Sequence, residues 1–137
     1  MTETTYQTTP VSARSPMTAV LAATAAAVAI WAVATAAGAD LTVSFGSGQP
    51  IQKVTVVNVV VAALVGSLAG WGLLALLRRF TTNARAVWTV IAIVFALFSL
   101  GGPLSTISST GTKVALVAMH LAVATVVIVV LRRTRGR

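Results

Sequence analysis

Few side chains in this sequence are able to do chemistry. The 137 residues contain one histidine, no cysteine and two acidic residues, Glu3 and Asp40. Without cysteine there can be no disulfide, thiolate nucleophile, CxxC redox pair or cysteine-ligated metal cluster, and one histidine cannot build an all-histidine metal site. A carboxylate pair for acid–base work, a Ser/His/Asp set and a P-loop are also lacking. The expectation is therefore a protein that is not an enzyme, with no catalytic residues, no metal and no cofactor.

What remains is a small polar set in apolar surroundings. His120 lies in AMHLAVA, and an ionisable group inside a membrane span is a functional candidate because a charge there is costly. It reads either as a proton-relay or ligand-contacting residue, or as a neutral imidazole donating to a carbonyl or hydroxyl of a neighbouring helix. No Asp or Glu falls in an apolar run to partner it, which favours the neutral ring. Asn58 and Ser99 lie at similar depths near one end of their runs. With Asp40 they define a candidate outward-facing polar pocket around His120, although interhelical hydrogen bonds, worth about 0.6 kcal/mol each, account for the same set.

The elements that carry these residues follow from composition. Hydrophobic residues make up 57% of the chain and charged residues 9%, against roughly a quarter charged in soluble domains; mean hydropathy is +0.94. Too few polar side chains exist to cover a water-facing globule, so this is an integral membrane protein. Met17–Gly38 is a charge-free run of 22 residues, about 33 Å as a helix and enough to cross a hydrocarbon core of about 30 Å. Further spans are expected at 54–77, 86–102 and 113–131, the third ending at Gly101-Gly102-Pro103. The fold class is all-α, a polytopic four-transmembrane-helix bundle over residues 17–131. Residues 1–16, polar and interrupted by Pro10 and Pro16, are expected to be a disordered tail, 39–53 a loop with an extended piece at Leu41–Phe45, and 132–137 a short basic tail.

The formal charge of +8 would suggest nucleic acid in a soluble protein, but here the basic residues flank apolar runs. Arg14, Arg78, Arg79, Arg85, Arg132, Arg133, Arg135 and Arg137 fall on one side of the four spans, and Lys53 and Lys113 on the other. The excess of basic residues on the cytoplasmic side of membrane proteins places both termini in the cytoplasm and the chain in the inner (plasma) membrane, with lipid and no nucleic acid as its surroundings. Arg78, Arg79, Arg85, Arg132 and Arg133 read as cytoplasmic anchors that also attract anionic headgroups at about 1 kcal/mol each. Trp88, next to this end, reads as an interfacial aromatic anchor, and Trp31 and Trp71 as packing residues. Ala37-Gly38-Ala39 resembles a signal-peptidase site, but the preceding apolar run is longer than a signal peptide requires.

On the second span Ala62, Gly66 and Gly70 continue a row from Asn58 at i, i+4 spacing and include a GxxxG. Small residues let a second backbone approach closely, which drives association in lipid. The row is either a seam for a homo-oligomer or a membrane partner subunit, or it packs against the other spans of the same chain; the Ala-rich first span makes the second account the simpler. The two halves also match in order, GADLT at 38–42 with GGPLS at 101–105 and Leu77-Arg78-Arg79 with Leu131-Arg132-Arg133; either low complexity produces these matches, or the hairpins are parallel repeats about the membrane normal.

ADLTV after an Ala-rich span, VWTV opening the third span, LFSLGGPLS closing it and AMHLAVA in the fourth together resemble a family of small actinobacterial membrane proteins of unknown function with four spans. The resemblance implies that topology and membrane, and no substrate or mechanism. Three roles are consistent with the sequence: a structural or accessory membrane component, favoured here; a small transporter or channel subunit using His120 and Asn58; and a sensor acting through the Ser/Thr-rich outer loops.

Overall fold

The structure is a computed structural model that describes residues 16–133; of the expected tails, 1–15 and 134–137, with Arg14, Arg135 and Arg137, lie outside the described residues, whereas Pro16 opens the first helix and Arg132 and Arg133 close the last. Four helical segments are long and apolar enough to cross a membrane: Pro16–Ala36, Val56–Phe80, Ala84–Ser105 and Thr110–Arg133. The first is α1, the second α2, the third is divided into α3 (Ala84–Ser99) and α4 (Gly101–Ser105), and the last is α5. Two short strands, β1 (Thr42–Val43) and β2 (Gln52–Lys53), lie between α1 and α2 and pair antiparallel.

Local chemistry sets each boundary. Helix α1 stops because Gly38 takes φ +83°, a left-handed conformation that glycine adopts at little steric cost. The Gly38 amide then donates to the Thr35 carbonyl and the Ala39 amide to the Ala34 carbonyl, both at 3.0 Å, satisfying carbonyls at the helix end. The Thr55 hydroxyl caps α2, accepting from the Asn58 amide at 3.3 Å. Ser109 does the same for α5, its hydroxyl accepting from the Thr112 amide at 3.3 Å, so this helix begins at Thr110, earlier than expected. At Gly101-Gly102-Pro103 helix α3 ends, at Ser99, as expected, but the span itself continues through the short α4 to Ser105. Leu100 stays right-handed at φ −67°, ψ −22°, and the chain turns extended only at Thr106. Pro103 is buried in the first turn of α4, where its missing N–H removes no helical hydrogen bond.

The bundle is antiparallel between neighbours. Helix α1 packs on α2 and, most extensively, on α5; α3 also packs on α2 and α5, while α2 and α5 touch across the centre. Alanines explain the close α1 contact: Ala19, Ala23 and Ala27, at i, i+4 spacing, are buried along one stripe. Small side chains there permit close backbone approach, which supplies packing energy that lipid cannot supply through the hydrophobic effect.

The interior divides into two clusters. At the arginine-bearing end Ala19, Ala23, Leu74, Trp88, Val127 and Leu131 pack together, and at the other end Ala27, Leu41, Val59, Ala63, Ala115 and Met119 do. The second cluster is closed by loop structure. Leu41, buried with a positive φ of 45°, plugs it, and the Val54 amide donates to the Leu41 carbonyl at 2.8 Å. Ser44 and Ile107 exchange both backbone hydrogen bonds, at 3.1 and 2.9 Å, so the β1–β2 hairpin is joined to the α4–α5 connection as a cap.

Two indoles stitch helices together. The Trp88 Nε1–H donates to the Gly70 carbonyl at 2.7 Å and the Trp31 Nε1–H to the Val54 carbonyl at 3.0 Å. Trp88→Phe removes one of these bonds and is expected to cost about 0.6–1.5 kcal/mol; Trp88→Ala also opens a cavity and is expected to cost about 3–5 kcal/mol. Denaturation of the purified chain in mixed micelles measures both, and equal costs would mean that the bond, not ring packing, holds α3 in place.

Candidate functional site

The four candidate pocket residues are each engaged within their own element. Asn58, exposed in the first turn of α2, receives a hydrogen bond on its Oδ1 from the Thr55 hydroxyl at 3.1 Å, and thus completes the helix cap. Ser99, the last residue of α3, donates from its hydroxyl to the Ala96 carbonyl at 3.0 Å. Asp40, exposed in the loop after α1, accepts from the Thr42 hydroxyl at 3.4 Å. His120 is half-buried, with Nδ1 2.8 Å from the Leu116 carbonyl. That carbonyl can only accept, so Nδ1–H is the donor in this hydrogen bond. The imidazole is therefore satisfied by its own helix; the neighbouring-helix partner of the sequence reading is replaced by an i−4 carbonyl.

An open groove of ≈ 630 Å³ lies between the end of α1 and the start of α5. Asp40 and Ser109 stand at its polar margin and Ile30, Ala34, Val114 and Ala118 line its apolar floor, while His120, Asn58 and Ser99 take no part in it. Depth separates the candidates as well. Asn58 is the third residue of α2, whereas His120 is the eleventh of α5, about 15 Å along its axis. The structure brings only Asp40 of the four to this groove. Among the described residues, no three His, Asp or Glu side chains cluster to hold a metal.

The small-residue row behaves differently from the within-chain account. Ala62 and Gly66 are exposed, and a Cβ added at Gly66 would meet no atom within 4 Å. Only Gly70 packs inside the bundle, where a Cβ would lie 3.5 Å from Val127 and 3.8 Å from Trp88. The face of α2 that the bundle uses is Val59, Ala63, Ser67 and Leu74. Ser67 was not singled out by sequence; its hydroxyl is buried without a hydrogen-bond partner. Its small volume, in register with Ala63 at i+4, serves close helix approach.

Trp88 also departs from its expected place. It is 1% exposed, so it lies in the core instead of among headgroups. The signal was present in its neighbours: Ala84 one turn before it is small and buried, and a buried indole needs an acceptor, which the Gly70 carbonyl provides. Trp31 is half-buried and Trp71 is 39% exposed on the outside of α2. Arg78, Arg79, Arg85, Arg132 and Arg133 are all exposed at one end of the bundle, with Lys53 and Lys113 at the other.

The family model described as "Family of unknown function (DUF6069)" matches residues 7–137. No curated protein and no solved structure shows a significant match.

The absence of native cysteine makes the pocket directly testable with a membrane-impermeant thiol reagent on intact cells. Ser47→Cys, in the exposed hairpin, and Asn58→Cys are expected to label, and His120→Cys is expected to stay unlabelled. Labelling at position 120 as fast as at position 47 would establish a water-filled path to mid-helix and restore the pocket.

Proposed function

We propose, for a chain that belongs to this family of unknown function over residues 7–137, a non-catalytic role as an accessory component of the plasma membrane. It associates through the outer face of α2 with a second copy or with a partner subunit. The observation that carries the reading is the exposure of Ala62, Gly66, Ala69 and Gly72 along one side of α2, with open space where a Gly66 or Gly72 side chain would be. A helix in lipid gains association energy from close backbone contact at small residues, and the bundle itself leaves this row unused. The distribution of arginine and lysine supports cytoplasmic termini. The transport reading draws less support, because His120, Asn58 and Ser99 each bond within their own helix.

Site-directed cross-linking in native membranes tests the role. Under mild oxidation Ala62→Cys and Ala69→Cys are expected to give a homodimer or a discrete heteromeric adduct. Val129→Cys, exposed on α5, serves as the control and is expected to give none. Adding Gly66→Ile to either variant is expected to lower the yield several-fold by blocking close approach. No adduct of either kind at positions 62 and 69, in a chain that retains its fold, would sink the reading.

A further inference from the structure

We propose that the cleft at the α2–α3 turn binds a phosphate group, supplied by the headgroup of an anionic lipid at the arginine-bearing surface of the membrane. The cleft is open, has a volume of ≈ 550 Å³ and is lined by Arg78, Thr81, Thr82, Asn83 and Arg85. Arg78 comes from the last turn of α2 and Arg85 from the first turn of α3, so arginines from two helices line one cleft. A guanidinium is a planar fork of N–H donors that matches phosphate oxygens. The two threonine hydroxyls and the Asn83 carboxamide add further donors.

The turn is held in shape from within. The Asn83 amide donates to the Thr81 hydroxyl at 3.2 Å, and the Asn83 carbonyl accepts from the Ala86 and Val87 amides at 3.0 and 3.1 Å. The charged side chains lining the cleft are cationic, and Asp40 belongs to the loop at the opposite end of the bundle. The N-terminal end of the α3 dipole adds partial positive charge to the same wall. A lipid, more than a free anion, fits the position. The cleft opens where the apolar stretches of α2 and α3 end, which is the level of headgroup phosphates, and Phe80, 79% exposed, precedes it in the chain as an apolar contact for the rest of the lipid. The inference depends on membrane placement and is independent of the α2 association face.

The test uses the purified full chain in detergent micelles, titrated by native mass spectrometry with short-chain phosphatidylglycerol, short-chain phosphatidylcholine and inorganic phosphate. Phosphatidylglycerol is expected to bind more tightly than phosphatidylcholine. Arg78→Gln with Arg85→Gln is expected to weaken it about thirtyfold, which is ~2 kcal/mol at 1.4 kcal/mol per tenfold and about 1 kcal/mol per arginine. Arg132→Gln with Arg133→Gln removes the same charge outside the cleft and is expected to weaken binding far less. Equal weakening by the two pairs, or equal binding of the two lipids, would overturn the site. Displacement of phosphatidylglycerol by equimolar inorganic phosphate would overturn the lipid as the source. If the glutamine pair does not fold, Arg78→Lys with Arg85→Lys keeps both charges but loses the forks; wild-type affinity in that variant would overturn the proposal, and weaker affinity would support it.

Discussion

Backbone N–H and C=O groups inside hydrocarbon have no water to bond, and each one left unsatisfied costs several kcal/mol. Most of this fold follows from that constraint. Irregular backbone is confined to the two ends, and at each end specific groups close the ledger of donors and acceptors. Gly38 lets the last carbonyls of α1 find amides, and the Thr55 and Ser109 hydroxyls accept from the first amides of α2 and α5. Even the hairpin loop between α1 and α2 is paired, on one edge by β2 and on the other by Ile107. Several polar side chains within the spans are satisfied in the same way: Thr24, Thr35 and His120 each bond the carbonyl four residues earlier, while the buried Ser67 hydroxyl is the exception among the described residues.

Once backbones are satisfied, side-chain volume decides which helices meet. The alanine stripe of α1 meets α5 and α2 closely, and Trp88 then fills the wider gap left beside Gly70 at the arginine-bearing end. Helix α3 is the most peripheral, with its large apolar residues, among them Phe95 and Phe98, exposed to the surroundings. It is tied in mainly through Ala84 and Trp88, its two buried residues.

The four spans, their order and the loop between the first two were legible because each rests on a long apolar run bounded by polar or basic residues. Side-chain direction was not, since nearly every position in such a run is apolar. The row Asn58, Ala62, Gly66, Gly70 shares one helix face in sequence, yet its members meet different surroundings: a cap, open exterior and a tryptophan. Trp88 beside Arg85 has the pattern of an interfacial anchor, and only its packing against α2 distinguishes it from one. The glycine pair before Pro103 does end α3 at Ser99, but it opens a second short helix, α4, that sequence alone did not show. His120 was legible as the one ionisable side chain in the middle of a span, though not which carbonyl would accept its hydrogen bond.

The pairing of Ser44 with Ile107 connects the sequence repeat to the architecture. The same spacing of 63 residues separates Gly38 from Gly101 in the matched segments and Ser44 from Ile107 in the bridge. Ser44 and Ile107 form a hydrogen-bonded antiparallel pair, which exchanges both backbone bonds, so these two residues are related by a local two-fold axis. The helices obey the same operation. Exchanging α1 with α3 and α2 with α5 preserves every major neighbour relation, because α1 and α3 each pack on both of the other two. The two halves differ where the packing is unequal: α1, lined with alanine, lies close to its neighbours, while the corresponding α3 carries bulky residues outward. Residue size thus sets how each helix packs: α1 meets α5 most extensively, both halves of the chain contribute to the core, and α3 stays at the margin.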